Sequence, residues 1–234
     1  MLGVGARVGA VEKPAVEESA PKLSELAYRR FKEALFAKRI QAGATVSQAD
    51  LVAITGVPIS PLREAMQVLQ SEGLIRILPR SGILITKPDL ALLRNAFQLR
   101  EVLEIPAIRH MAGAMPREDL LALEAAHQEL LDRTPGLEVT SEVAEQISGF
   151  DIGFHYGAVR FLANPLLGRA HEQAFDCIRL IRLDQLYMLS AMAIARTMQE
   201  HLSIIRACLA RDPDAAVEAL ELHFAKAMQR ALGV

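Results

Sequence analysis

Apolar residues recur at helical spacing from Leu23 onward. Leu23, Leu26, Ala27, Phe31, Ala34 and Leu35 form one stripe, with Arg29, Arg30, Lys32, Lys38 and Arg39 mostly off it. Gly43 is a stop signal. Ser47 opens a short second helix that runs through Leu51 and Ile54 and ends at Gly56. Val57-Pro58-Ile59 reads as a turn, Ser60 as an N-cap and Pro61 as the first residue of a third helix. That helix, 61–72, buries Leu62, Ala65, Met66 and Leu69 and stops at Gly73. Two short helices around a tight turn make a helix-turn-helix. After Gly73 two β-rich runs, Leu74–Leu78 and Ile83–Thr86, flank Pro79-Arg80-Ser81-Gly82, which is a hairpin signal. A hairpin placed there is a wing, and Lys87-Pro88 closes it as a linker.

From Asp89 the pattern is helical throughout, with helices expected at 89–113, 117–133, 141–163, 165–190, 196–211 and 213–232. Pro and Gly signals at Met115-Pro116, Thr134-Pro135-Gly136, Asn164-Pro165 and Asp212-Pro213, with a further break near Ser190, separate them. The fold class is therefore mainly α: a winged helix-turn-helix over 22–88, then an all-α antiparallel bundle over 89–234. Residues 1–21 have no periodicity and read as a disordered tail.

Composition sharpens this outline. Residues 22–88 hold ten Lys/Arg and five Asp/Glu, a balance of +5, while 89–234 hold fourteen against twenty, or −6. A basic head on an acidic body suits a polyanion-binding module joined to a domain with another task. Trp is absent and aromatics are scarce, which argues against a stacking platform for single strands. Cys177 and Cys208 form no CxxC pair and read as small buried hydrophobes in a reducing compartment. Glu12 and Lys13 interrupt any signal-peptide core, and no run is long enough to span a bilayer. The expected location is the cytoplasm.

A recognition helix needs one apolar face for its own domain and one polar face for the groove. Helix 61–72 has both. Its outward residues are Ser60, Arg63, Glu64 and Gln67. Arg63, one turn in, is placed for a phosphate or a guanine edge, and Arg80 at the wing tip for an adjacent strand. The run Gly56-Val57-Pro58-Ile59-Ser60-Pro61-Leu62-Arg63-Glu64-Ala65-Met66, followed by Leu69 and Glu72-Gly73-Leu74-Ile75, resembles the GntR family of transcription regulators over residues 23–88. The resemblance implies a homodimer on a short palindromic operator. Ile59 and Ala49 stand where many relatives carry Arg. Each lost phosphate contact would lower the salt slope by about 0.9.

Asp151 and His155 are four apart and share a helix face, while His201 and His223 fall on the last two helices. One carboxylate and three imidazoles suit a borderline divalent cation, although the spacing alone also fits an ordinary ion pair and core histidines. Residues 98–232 resemble the FCD ligand-binding domain of the FadR subfamily. The similarity rests on Leu99-Arg100 with Glu104, Asp151-x-x-Phe154-His155, Asn164-Pro165-Leu166-Leu167, Glu200-His201 with Ile204, Asp212 and His223. It implies Asp151, His155, His201 and His223 as metal ligands, with zinc first and nickel, manganese or iron as alternatives. Open coordination positions would take a small carboxylate effector, with Arg100 and Asn164 as effector-binding candidates by resemblance. Arg179 and Arg182 are candidates only from their place on helix 165–190. His110, His127 and His171 match no ligand position and are expected at a surface or interface. Two rivals compete: a metal-independent regulator with a bulky apolar effector, and a metal-dependent hydrolase, for which no HExxH motif or nucleophile elbow is found.

Overall fold

A computed structural model describes residues 22–182 and 190–232. The expected tail over 1–21, and positions 183–189 of the helix expected over 165–190, lie outside the described residues.

The head consists of α1 (Leu23–Phe36), β1 (Thr45–Val46), α2 (Gln48–Thr55), α3 (Ile59–Ser71), β2 (Ile75–Leu78) and β3 (Gly82–Ile85). Helix α2 starts where Ser47 and Asp50 make a reciprocal capping box, with backbone-to-side-chain bonds of 3.1 and 2.8 Å. It ends at Gly56, whose φ of 62° is left-handed. Helix α3 begins two residues earlier than the sequence suggests, at Ile59. Pro58 is the extended residue outside it, so Ser60 lies inside the first turn and does not cap the helix. Pro61 is accommodated because N–H groups of the first turn lack intrahelical acceptors anyway. Leu62, Ala65, Met66 and Leu69 are buried against Phe31, Leu35 and Leu51 in one core.

The wing is an antiparallel hairpin, with Ile75 opposite Ile85 and Leu78 opposite Gly82. A third strand, β1, pairs with β3 (Thr45 opposite Leu84), giving the order β1-β3-β2. Two residues are too few to reveal an alternating pattern, so β1 leaves no trace in the sequence.

After Asp89, whose side chain accepts Leu92 N–H at 2.7 Å, come α4 (Leu90–Ala114), α5 (Arg117–Arg133), α6 (Ser141–Phe161), α7 (Pro165–Arg182), α8 (Ala191–Leu209) and α9 (Pro213–Leu232). Helix α8 starts five residues before the expected position, because Ser190 caps it through Ala193 N–H. Helix α4 packs against α6, α7, α8 and α9, which places its buried face at the centre of the bundle. Phe97, Ile108 and Met111 meet Ile204, Ile205 and Phe224 there. Among the described residues no helix is long and apolar enough to cross a membrane.

Gly82 gives a direct check on the wing. Its φ is 108°, and a Cβ there would lie 2.7 Å from the Val46 carbonyl oxygen. Gly82→Ala is expected to destabilise the fold by about 1–3 kcal/mol, read as a lower urea midpoint. An unchanged midpoint would contradict the β1–β3 contact.

Candidate functional site

Two sites emerge, one on the head and one inside the bundle. On α3 the residues opposite the core, Ser60, Arg63, Glu64 and Gln67, are exposed. Arg63 Nε donates to Gln48 Oε1 at 3.2 Å, so the first residue of α2 steadies the guanidinium. Gln48 is fifteen residues from Arg63 along the chain, so helix spacing assigns it no role. Arg80 is exposed in the turn between β2 and β3, with a left-handed φ of 64°.

Inside the bundle, α6 carries Asp151 and His155, one turn apart on its buried side; α8 carries His201 and α9 His223. Nitrogens of the three histidines all lie within 4.8 Å of one another. Asp151 Oδ1 is 3.5 Å from His201 Nε2 and 3.9 Å from His155 Nε2. All four residues are buried, Asp151 being the most exposed at 5%. The four sequence-predicted ligands are therefore brought together from three helices.

The outer nitrogens show how the cluster is oriented. His155 Nδ1 is 2.6 Å from Glu104 Oε2, and His223 Nδ1 is 2.8 Å from Glu200 Oε2. A carboxylate at Nδ1 fixes the proton there and leaves Nε2 as a lone pair. His155 Nε2 and both nitrogens of His201 are buried without a hydrogen-bond partner. Unpartnered buried polar atoms cost about 1–3 kcal/mol each, and a cation beside Asp151 removes that cost at His155 Nε2 and His201 Nε2. Three imidazoles and a carboxylate, with carboxylates behind two of the rings, thus fit a divalent metal of the zinc, nickel, manganese or iron type.

Charges around the cluster follow the same design. Burial alone would raise the Glu104 carboxyl, but Arg100, His155 and His171 hold it well below the ordinary carboxylate range. Burial pushes His155 down to about 4, against the pull of Glu104. Burial, with His223 and His155 alongside, lowers His201 well below the usual imidazole value. The neutral rings are the forms a metal requires. Glu200, despite its burial, is lowered to about 2 by His223 and Arg230. It also lines a cleft of about 460 Å³ between α8 and α9 with Arg196, Lys226 and Arg230, so cations stand on the outer side of the cluster.

Other expectations need correction. Arg100 is wholly buried; its Nε donates to Glu104 Oε1 at 2.6 Å and its guanidinium lies 4.3 Å from the Phe175 ring centre, so its guanidinium is engaged by Glu104. Asn164 is exposed and caps α7, its Oδ1 accepting Leu166 N–H at 3.0 Å, and it takes no part in the cluster. Arg179 lies 3.9 Å over Phe36 of α1, on the head side of α7, while the Arg182 side chain lies outside the described residues. His110 is exposed as expected, but His127 and His171 are buried. His171 Nε2 is 2.8 Å from Glu104 Oε1, so one carboxylate serves two imidazoles. A lone histidine's burial is invisible in its spacing, but the Arg100/Glu104 pair at i,i+4 was a readable signal. Helix α7 also joins the two halves: Asp176 pairs with Lys32, and Leu180 is buried in the core of the head.

Comparison with known proteins agrees with this architecture. Residues 23–85 match the model for bacterial regulatory proteins of the gntR family, and residues 95–226 match the FCD domain. An HTH-type transcriptional regulator of Streptomyces ambofaciens is 28% identical over 57% of this chain, which spans about half (53%) of that relative's length. The HTH-type transcriptional regulator YdhC of Bacillus subtilis is 25% identical, over 84% of this chain and 85% of its own. Among solved structures, E. coli McbR/YncC superposes with a TM-score of 0.74 at 18% identity, covering 91% of this chain and 98% of its own. At that identity the likeness shows the fold alone.

Glu104→Gln removes the charge that Arg100, His155 and His171 share. The expected cost is about 3–5 kcal/mol of stability and about 10–100-fold in divalent-metal affinity. Urea unfolding and chelator competition check the two; full affinity in the variant would separate Glu104 from the cluster.

Proposed function

Since the chain belongs to the GntR family of bacterial DNA-binding transcription regulators and carries an FCD domain, we propose that a small carboxylate effector, received at a divalent-metal site, controls its operator affinity. The observation that carries this reading is the convergence of Asp151, His155, His201 and His223, with buried nitrogens left unpartnered. These four residues would hold the ion, which supplies open coordination positions to the effector. The cations around the cleft behind Glu200 (Arg196, Lys226 and Arg230) add positive potential near the cluster, which favours an anionic effector. Ser60, Arg63 and Gln67 on α3 and Arg80 on the wing are the residues proposed to meet double-stranded DNA, with two copies of the chain reading two half-sites.

The chain's own residues supply a path between the two ends. Glu104 on α4 binds His155 on α6 and His171 on α7. Four residues beyond His171, Phe175 packs on Arg100; further along α7, Asp176 and Arg179 lie against α1 and Leu180 enters the core of the head. A shift in the cluster's side chains therefore displaces α7 relative to the head. That displacement changes the placement of two heads across a dimer and hence the fit to half-site spacing.

The proposal is tested on DNA selected from a random pool by the wild-type protein. Arg63→Ala is expected to weaken binding about tenfold or more in gel shifts, with metal content unchanged. The double variant His201→Ala/His223→Ala is expected to retain DNA binding but lose metal, by elemental analysis, and effector response. A normal response to small carboxylates in the double variant would remove the cluster from the mechanism.

A further inference from the structure

Two of the three cluster histidines have their outer nitrogen engaged by a carboxylate, but His201 does not. It is completely buried on α8, and both its nitrogens lack a hydrogen-bond partner. Its Nε2 is the nitrogen 3.5 Å from Asp151, which makes Nδ1 the outer one. A metal-ligating histidine ordinarily donates its second N–H to an acceptor that fixes the tautomer.

The rings around His201 narrow the choice of acceptor. Phe154 stacks on it at 4.4 Å between ring centres and has no lone pair to offer. His155 and His223 belong to the same cluster and have their Nδ1 atoms committed to Glu104 and Glu200. The fourth ring is His127 on α5, 5.3 Å away and inclined at 65°. His127 is 1% exposed, with its Nδ1 2.7 Å from the Leu123 carbonyl oxygen. A carbonyl only accepts, so His127 Nδ1 must carry the proton, and its Nε2 is then a bare lone pair. That Nε2 is buried and has no partner. A donor without an acceptor and an acceptor without a donor thus sit on adjacent rings of two helices that pack together.

We propose that His127 is the positioning residue for His201: with metal bound, His201 Nδ1–H donates to His127 Nε2, while His127 Nδ1–H donates to the Leu123 carbonyl. This rests on the metal-site reading above. It satisfies His127 Nε2 and His201 Nδ1 with one hydrogen bond and leaves His201 Nε2 for the ion. It also makes the three imidazole ligands unequal. His155 and His223 have anionic partners that raise their basicity, whereas His201 has a neutral one and ties α5 to the cluster.

The test uses Zn²⁺-loaded full-length protein. Imidazole ¹⁵N spectra are expected to show a coupling between His201 Nδ1 and His127 Nε2 across the hydrogen bond. His127→Phe keeps the aromatic packing against Phe150 and Phe154 but removes the acceptor. It is expected to lose about tenfold or more in Zn²⁺ affinity by chelator competition, with the metal-free melting temperature little changed. His127→Gln, which restores a carbonyl acceptor, is expected to recover most of the loss. Absence of the coupling, or wild-type affinity in His127→Phe, overturns the assignment while the metal site stands. Failure of the wild-type protein itself to bind Zn²⁺ overturns the metal-site reading and this inference with it.

Discussion

One buried negative charge organises the helical half of this protein. Glu104 is wholly buried at the centre of the bundle. A carboxylate there is tolerable only because Arg100 pairs with it from one turn earlier and His155 and His171 sit on its two oxygens. The guanidinium is enclosed in turn by Phe175 and Phe224. Three helices, α4, α6 and α7, are thereby held in one register, and His155 is turned with Nε2 toward Asp151 and His201. Glu200, charged by its contacts with His223 and Arg230, does the same from the other side. The cluster is a consequence of buried acids that orient rings, and it needs the surrounding hydrophobic shell to keep water from competing.

Helix α7 gives that arrangement a reach beyond the bundle. Its residues divide by helical spacing into a set facing Glu104 and Arg100 (His171, Phe175) and a set facing the head (Asp176, Arg179, Leu180). Burial raises the Asp176 carboxyl, and Lys32 only partly opposes this, so the ion pair between the halves carries a desolvation cost that well-packed apolar residues would avoid. Such a contact is weak as glue. It is well suited to an element whose position responds to small changes at the other end.

Much of this was legible along the chain. Ser47, Gly56, Gly73 and the Pro79–Gly82 turn marked the winged head because each is a local device with a local cause. The four cluster residues were legible because helix spacing and a family pattern pointed to them together. Three kinds of feature were hidden. The strand β1 was too short to have a period. The start of α3 slid past Ser60 because proline fits either of two first-turn positions. The burial of His127 and His171 was missed because burial and pairing arise from which helices become neighbours, and no single-helix pattern encodes that.

The central claim is that Asp151, His155, His201 and His223 bind one divalent ion in the interior of the bundle. Crystals grown with Zn²⁺, measured on both sides of the zinc absorption edge, test it most directly. A single dominant anomalous peak among those four side chains is the predicted result. A map with no peak there, or with zinc held only by surface residues, would contradict it.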